Sequence, residues 1–429
     1  MALIEGFDPR DLAEAGWGII LATNANPAIL DALAPLLDLR RKQTGRRFRI
    51  FQGEEGFDPS RDTKSTFLAR KGAGPGPADP DRLPYYLLLA GSPEEIPYRF
   101  QSQLDIQYAV GRVCFDTLDD YAAYAATVAR TEREGARVRR ESVRRPCRAV
   151  LFGVSHPDDS HTQLSVYTLI QPLANTLRSR YPNLQMTTLI GTEASKRNLI
   201  RVLSEDTAPG LLITSGHGIV FPESDPRYMA HQGALVCADW PGPTAWRGPL
   251  PPELYFSADD ISESMHLDGM IALHYSSFSA GASPQDSALQ RLAMKGVRLD
   301  PSGYRKPLVS KSAKLMLAHR RGGALAVVGL IDREWGFVLH GDKGASHTKV
   351  VQSVVMRLLD GFPVGNALEY VNDRYAELST ILSSDMEEIA FGKQANPREL
   401  VRMWTENMDF QSFAVVGDPA VRLPTPYAR

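Results

Sequence analysis

The hydrophobic residues of this chain gather into short unbroken runs bounded by glycine, proline or polar residues. Trp17-Gly18-Ile19-Ile20-Leu21-Ala22, Tyr85-Tyr86-Leu87-Leu88-Leu89-Ala90-Gly91, Ala109-Val110-Gly111-Arg112-Val113 and Ala149-Val150-Leu151-Phe152-Gly153-Val154 are of this kind. So are Gly210 to Thr214, Met270 to Tyr275, Ala324 to Gly329 and Phe413 to Val416. A strand with one wet face alternates; an unbroken apolar run predicts a strand covered on both faces, as in a parallel sheet. Phe48–Gln52 and Leu184–Ile190 are read as further strands. Helical periodicity lies between the runs, and several starts carry capping signals. Helices are predicted from Asn26-Pro27-Ala28 through Leu39, from Thr117-Leu118-Asp119-Asp120 through about Arg133, and from Val166 to about Arg180. Thr192 is read as capping a helix to Leu203, and Ser257-Ala258-Asp259-Asp260 as capping another. Two long helices follow, about His347 to Leu359 and Val364 to Ile389. Alternating strands and helices predict an α/β fold: a doubly wound, mostly parallel sheet with helices on both faces.

The stretch Arg130–Arg148 interleaves Arg with Glu and reaches Pro146, which suits an exposed helix end and a connection. It divides the chain into a smaller α/β subdomain, residues 1–145, and a larger unit, residues 146–429. The glycines and prolines of 70–82 break any element there. Neither a preceding strand nor a following Gly-Lys-Ser/Thr makes them a phosphate loop. Phe221–Tyr255 is a long Pro/Gly-rich excursion, and Gly296–Pro307 is a further loop suited to processing or gating.

Composition narrows the function. The 429 residues carry a net charge of -2, with 43% hydrophobic and 23% charged positions, so neither nucleic acid nor an acidic membrane surface is an expected partner. No apolar run reaches the roughly 20 residues of a membrane span. Glu5, Asp8 and Asp11 replace the basic start of a signal peptide, so a cytoplasmic location is expected. Cys114, Cys147 and Cys237 form no CxxC, the histidines form no HExxH, and neither a disulfide framework, a metal site nor a cofactor is expected.

Two strand ends carry chemistry. Ser215-Gly216-His217-Gly218 ends one buried run on a histidine between glycines; Ser276-Ser277-Phe278-Ser279-Ala280-Gly281 ends another in small hydroxyl residues. Singly, the first reads as a structural histidine and the second as a turn. Together they place a base and a nucleophile at one edge of a parallel sheet.

These two segments resemble the paired motifs of the caspase-like cysteine peptidases, the superfamily of caspases, gingipains, clostripain and bacterial CHAT proteases. The likeness continues in Gly323–Gly329 with Asp332-Arg333-Glu334-Trp335-Gly336, similar to the strand and substrate-pocket tryptophan of gingipain-like enzymes, and in Val416-Gly417-Asp418-Pro419. It is looser in Tyr86–Gly91, Ile96-Pro97 and Val110-Gly111-Arg112. The Gln-Ala-Cys-x-Gly signature of true caspases is absent, which points to a bacterial member. The resemblance implies an endopeptidase with His217 as base, residue 277 as nucleophile, and the N–H groups of Gly218 and residue 277 as oxyanion donors. It also implies protein or peptide substrates, and an upstream activating protease or immune-signalling protein as partner.

Serine stands at 277 where the family has cysteine. A hydroxyl needs an aligned base throughout attack, whereas a thiol is partly ionised at neutral pH. A family-type dyad without a tightly coupled triad is therefore expected to be inactive or nearly so with serine. Two accounts fit: a replacement made to silence a peptidase, favoured by the intact His217, its glycines and the Trp335 segment, or a natural pseudoprotease that binds or signals. For specificity, the loop Ser155–His161 supplies Asp158 and Asp159, and Asp286 follows the nucleophile turn. An acidic pocket pairs with Arg or Lys before the scissile bond, and Trp335 is a candidate pocket wall. Capping or a solvent-facing role for Asp158 and Asp159 is an equal alternative. Buried cysteine is the reading for Cys237.

Overall fold

The computed structural model describes residues 3–140, 147–284, 306–336, 348–392, 394 and 396–424. In chain order its strands are β1 (Trp17–Leu21), β2 (Phe48–Phe51), β3 (Tyr86–Ala90), β4 (Ala109–Val113), β5 (Arg148–Gly153), β6 (Gln185–Ile190) and β7 (Leu211–Ser215). They continue as β8 (Leu235–Val236), β9 (Tyr255–Phe256), β10 (Ile271–Tyr275), β11 (Gly281–Ala282), β12 (Leu308–Val309), β13 (Ala326–Leu330) and β14 (Phe413–Gly417). Among the described residues ten of them form one sheet in the order β2-β1-β3-β4-β14-β13-β10-β7-β5-β6. Neighbours run parallel, except that β14 is antiparallel to β13. Helices flank the sheet, as the alternation predicts.

Burial follows position in that order. Strands β1, β3, β4, β7, β13 and all but one residue of β10 are wholly buried; β2 and β6, at the two edges, keep exposed or half-exposed residues such as Arg49 and Gln185. One apolar core runs from Leu12 to Leu423 through both halves of the chain. A satellite core unites Phe221, Tyr228, Ala234 and Tyr255 of the excursion with Phe278, Ala282 and Leu308.

Several helices differ from expectation. The run after Thr192 begins as a single 3-10 turn, Gly191–Glu193; the helix proper is Lys196–Leu203, capped by Ser195. Ser257 and Asp260 do close a capping box, but only the turn Ala258–Asp260 follows. The stretch 364–389 divides into Val364–Ala367 and Glu369–Ala390. A helix absent from the expectations, Pro397–Gln411, starts on Asn396 as cap with proline in its first turn.

Strand succession reverses at β5, with β6 on one side and β7, β10 and β13 on the other. Such a switch leaves a crevice at the carboxyl ends of the strands. The segments after β5, β7 and β10 meet there, and Tyr275 pairs with Ser215 so that the last two strands end level.

Candidate active site

The turn after β10, which carries Ser277, is built from its backbone. Phe278 has φ of +59°, a left-handed conformation that is strained for a bulky residue and held only by firm surroundings. Those surroundings are the satellite core, which buries the Phe278 ring, and a hydrogen bond from its N–H to the Asp332 carbonyl at 3.0 Å. The Ser279 hydroxyl oxygen accepts from the Leu330 N–H at 3.1 Å and lies 2.8 Å from the Ser276 carbonyl. The turn is thereby knotted to β13. Ser277 is left half-exposed, its Oγ accepting the Glu334 N–H at 3.0 Å.

Gly218 brings the second segment against it. A Cβ on Gly218 would collide with the Ser277 carbonyl oxygen and lie 3.0 Å from its nitrogen, so only glycine lets the two backbones come this close. Among the described residues the N–H groups of Gly218 and Ser277 donate to no protein acceptor.

His217 is held on three sides. Its Nε2 lies 2.5 Å from Asp159 Oδ2. The His161 ring stacks on it with centroids 5.3 Å apart, and Trp240 meets it edge-on at 6.1 Å. Asp159 also caps the helix Ser160–Ser165, its Oδ1 accepting the His161 N–H at 3.1 Å. Burial alone would raise the Asp159 pKa, but the bond and charge of His217 and the His161 N–H outweigh it and pull it to about 2. His161 in turn pairs through Nε2 with Glu334 Oε2 at 2.5 Å. Burial works against its charge, yet Glu334 outweighs burial and raises its pKa. Glu334 also accepts from the Tyr275 hydroxyl at 2.9 Å, so one residue touches both halves of the site.

The remaining residues named from the sequence lie as follows. Asp158 is exposed and accepts the Thr244 N–H at 2.8 Å, tying down the excursion. Trp335 is half-buried, its N–H bonded to Asp409 at 3.0 Å. Asp286 and most of the loop Gly296–Pro307 lie outside the described residues. Cys237 is buried just after β8, and burial pushes its thiol to about 12; Cys147 reaches about 12 for the same reason. Sequence reasoning named no role for Glu334, His161 or Trp240. The first two lay within quoted segments, but nothing local signals a pairing across more than 170 positions.

The main departure from expectation is the carboxylate on the imidazole. The family-type dyad was read as lacking a coupled third member, with Asp159 as a pocket acid or a cap; Asp159 does cap, and it also engages His217.

No family model matches the sequence, and no curated protein does either. Among solved structures, the chain is similar to the Arg-specific cysteine proteinase gingipain R, at 13% identity and TM-score 0.55 over 99% of this chain and 81% of that one. It is similar also to the complex of the pro- and mature domains of RgpB from Porphyromonas gingivalis, at 12% identity and TM-score 0.51, covering 96% and 80%. A further structure, described only as a protease, aligns at 11% identity and TM-score 0.50, covering 96% and 79%. The likeness is one of fold: this chain has the caspase-like α/β architecture of gingipain R.

Proposed function

We propose that the chain is a peptidase acting on polypeptides through residue 277 and His217. The observation that supports this best is the packing of Gly218 against the Ser277 backbone. It brings the backbone beside His217 against residue 277 at the ends of β7 and β10, with two N–H groups that donate to no protein acceptor among the described residues. A carbonyl oxygen gaining negative charge needs such preorganised donors. His217 is the base, and the N–H groups of Gly218 and residue 277 are the oxyanion donors. Cleavage after Arg or Lys belongs to the same proposal. It is supported by the exposed carboxylate of Asp158 and by the Arg specificity named for gingipain R. Asp159 is committed to His217 and is no longer a candidate for the basic side chain.

The thiol form is expected to be the faster one. Ser277→Cys should raise turnover of peptides with Arg or Lys before the scissile bond, and His217→Ala in that background should lower it by about 10²–10⁴-fold. Steady-state hydrolysis of a peptide library measures both; no turnover of any peptide by the Ser277→Cys chain removes the peptidase reading. The hydroxyl at 277 favours a second reading, a pseudoprotease that holds peptides in the same cleft. It is the one left if both forms bind peptide and neither cleaves.

A further inference from the structure

We infer that Ser277 is itself a working nucleophile, activated through Asp159 and His217 as a carboxylate–imidazole–hydroxyl relay. The inference rests on the peptidase reading and decides what the chain does with its hydroxyl in place.

A hydroxyl is a poor nucleophile unless its proton has a fixed acceptor. Asp159 on Nε2 places the imidazole proton on that nitrogen and leaves Nδ1 with its lone pair. The carboxylate is itself immobilised by capping its helix and by the His161 N–H. It stays ionised through the neutral range. His161 and Trp240 fix the plane of the imidazole, and the His161–Glu334 pair fixes His161. A thiol, which ionises readily, has less need of so firmly held a base.

The hydroxyl is prepared as well. The Glu334 N–H occupies one lone pair of Ser277 Oγ at 3.0 Å, sets its rotamer and lowers the cost of alkoxide character. Among the described residues the hydroxyl proton has no acceptor, His217 Nδ1 included, so the last link of the relay closes only once a substrate is bound. The reversal at Phe278 turns the chain away directly after Ser277 and leaves that oxygen accessible.

The step balances. Ser277 Oγ gives its proton to His217 Nδ1 as it forms the Oγ–C bond, and the carbonyl π pair moves onto oxygen beside the N–H groups of Gly218 and Ser277. Return of that pair breaks the C–N bond, and the departing amine takes the proton from His217. Water repeats the sequence on the ester and restores the hydroxyl.

An alkyl fluorophosphonate, which forms an Oγ–P bond with expulsion of fluoride at activated serines, tests this on the full chain. The expected result is a single adduct, mapped by mass spectrometry to Ser277, absent from Ser277→Ala and from urea-unfolded chain. Asp159→Asn keeps a capping side chain and should melt near the parent temperature. It should label at least ~10²-fold more slowly. No adduct on Ser277 in the folded chain, or a rate indifferent to Asp159→Asn, overturns the inference. If the serine chain neither labels nor cleaves while Ser277→Cys cleaves peptides, the serine relay fails and the peptidase reading stands; if the thiol form is also inert, both fail.

Discussion

Gly218 carries the tightest steric constraint in the cleft, because the space its Cβ would need is filled by the Ser277 carbonyl. Gly218→Ala must move one of the two backbones and with it one of the N–H groups proposed as oxyanion donors. Turnover in the thiol form is expected to fall by about 10²–10³-fold; a rate within threefold of the parent would show that the two segments do not need this contact. Asp159 teaches a related lesson at the same scale. Its capping role was legible in the sequence, since Asp before a helix start is a local signal. Its bond to His217 was not, because the partners lie 58 positions apart and only the shared edge of β5 and β7 brings them together. His217 and Ser277 were singled out for a different reason: each ends a buried strand in small residues, and the two strand ends together suggest a site.

Strands β7 and β10 form the element that carries the site, and one side-chain pair crosses them behind it. His274 Nδ1 lies 2.8 Å from the Thr214 hydroxyl, and the two residues are direct partners in the ladder. Burial pulls the His274 pKa from 6.5 to about 4. Between those values the unfolded chain takes up the proton and the folded chain does not. The contribution is therefore complete above pH 6.5 and is lost as pH falls toward 4. Thermal melts of the parent and of His274→Gln over that window check it, and parallel pH curves would refute the assignment. Elements of this kind were the best-read part of the sequence, since burial on both faces writes itself as an unbroken apolar run. Short helices read less well. The capping box at Ser257 and Asp260 is correct chemistry, but a cap satisfies the first turn and does not by itself prolong a helix. The helix Pro397–Gln411, with polar residues through much of its length, was passed over despite its Asn396-Pro397 start.

At the scale of the molecule, the fold depends on β14, which lies between β4 and β13 and joins the strands of the first 113 residues to those of the site. The expected boundary at 145 falls in 141–146, outside the described residues, and the sheet runs on through β14 in either case. The residue after β14, Asp418, is fully buried and accepts from Arg40 Nε at 2.7 Å, from Trp17 Nε1 at 2.9 Å and, through its own N–H, donates to the Tyr124 hydroxyl oxygen at 2.6 Å. Arg40, also fully buried, forks onto Glu132 at 2.7 and 2.9 Å. Asp418→Ala leaves a buried guanidinium with one carboxylate and an indole N–H without its acceptor, and should cost about 3–5 kcal/mol, read from urea unfolding. A loss under 1 kcal/mol would mean that the network is dispensable. The insertion of β14 also has a consequence in time. It follows every other strand of the sheet in chain order, yet it fills a place in the middle, beside the strand that knots the turn after β10. During synthesis from the N-terminus, the sheet stays open at that place until residues 413–417 have left the ribosome. A nascent chain thus carries the segments after β7 and β10 before it has the strand that frames them, so the cleft takes shape only after residue 417 is made.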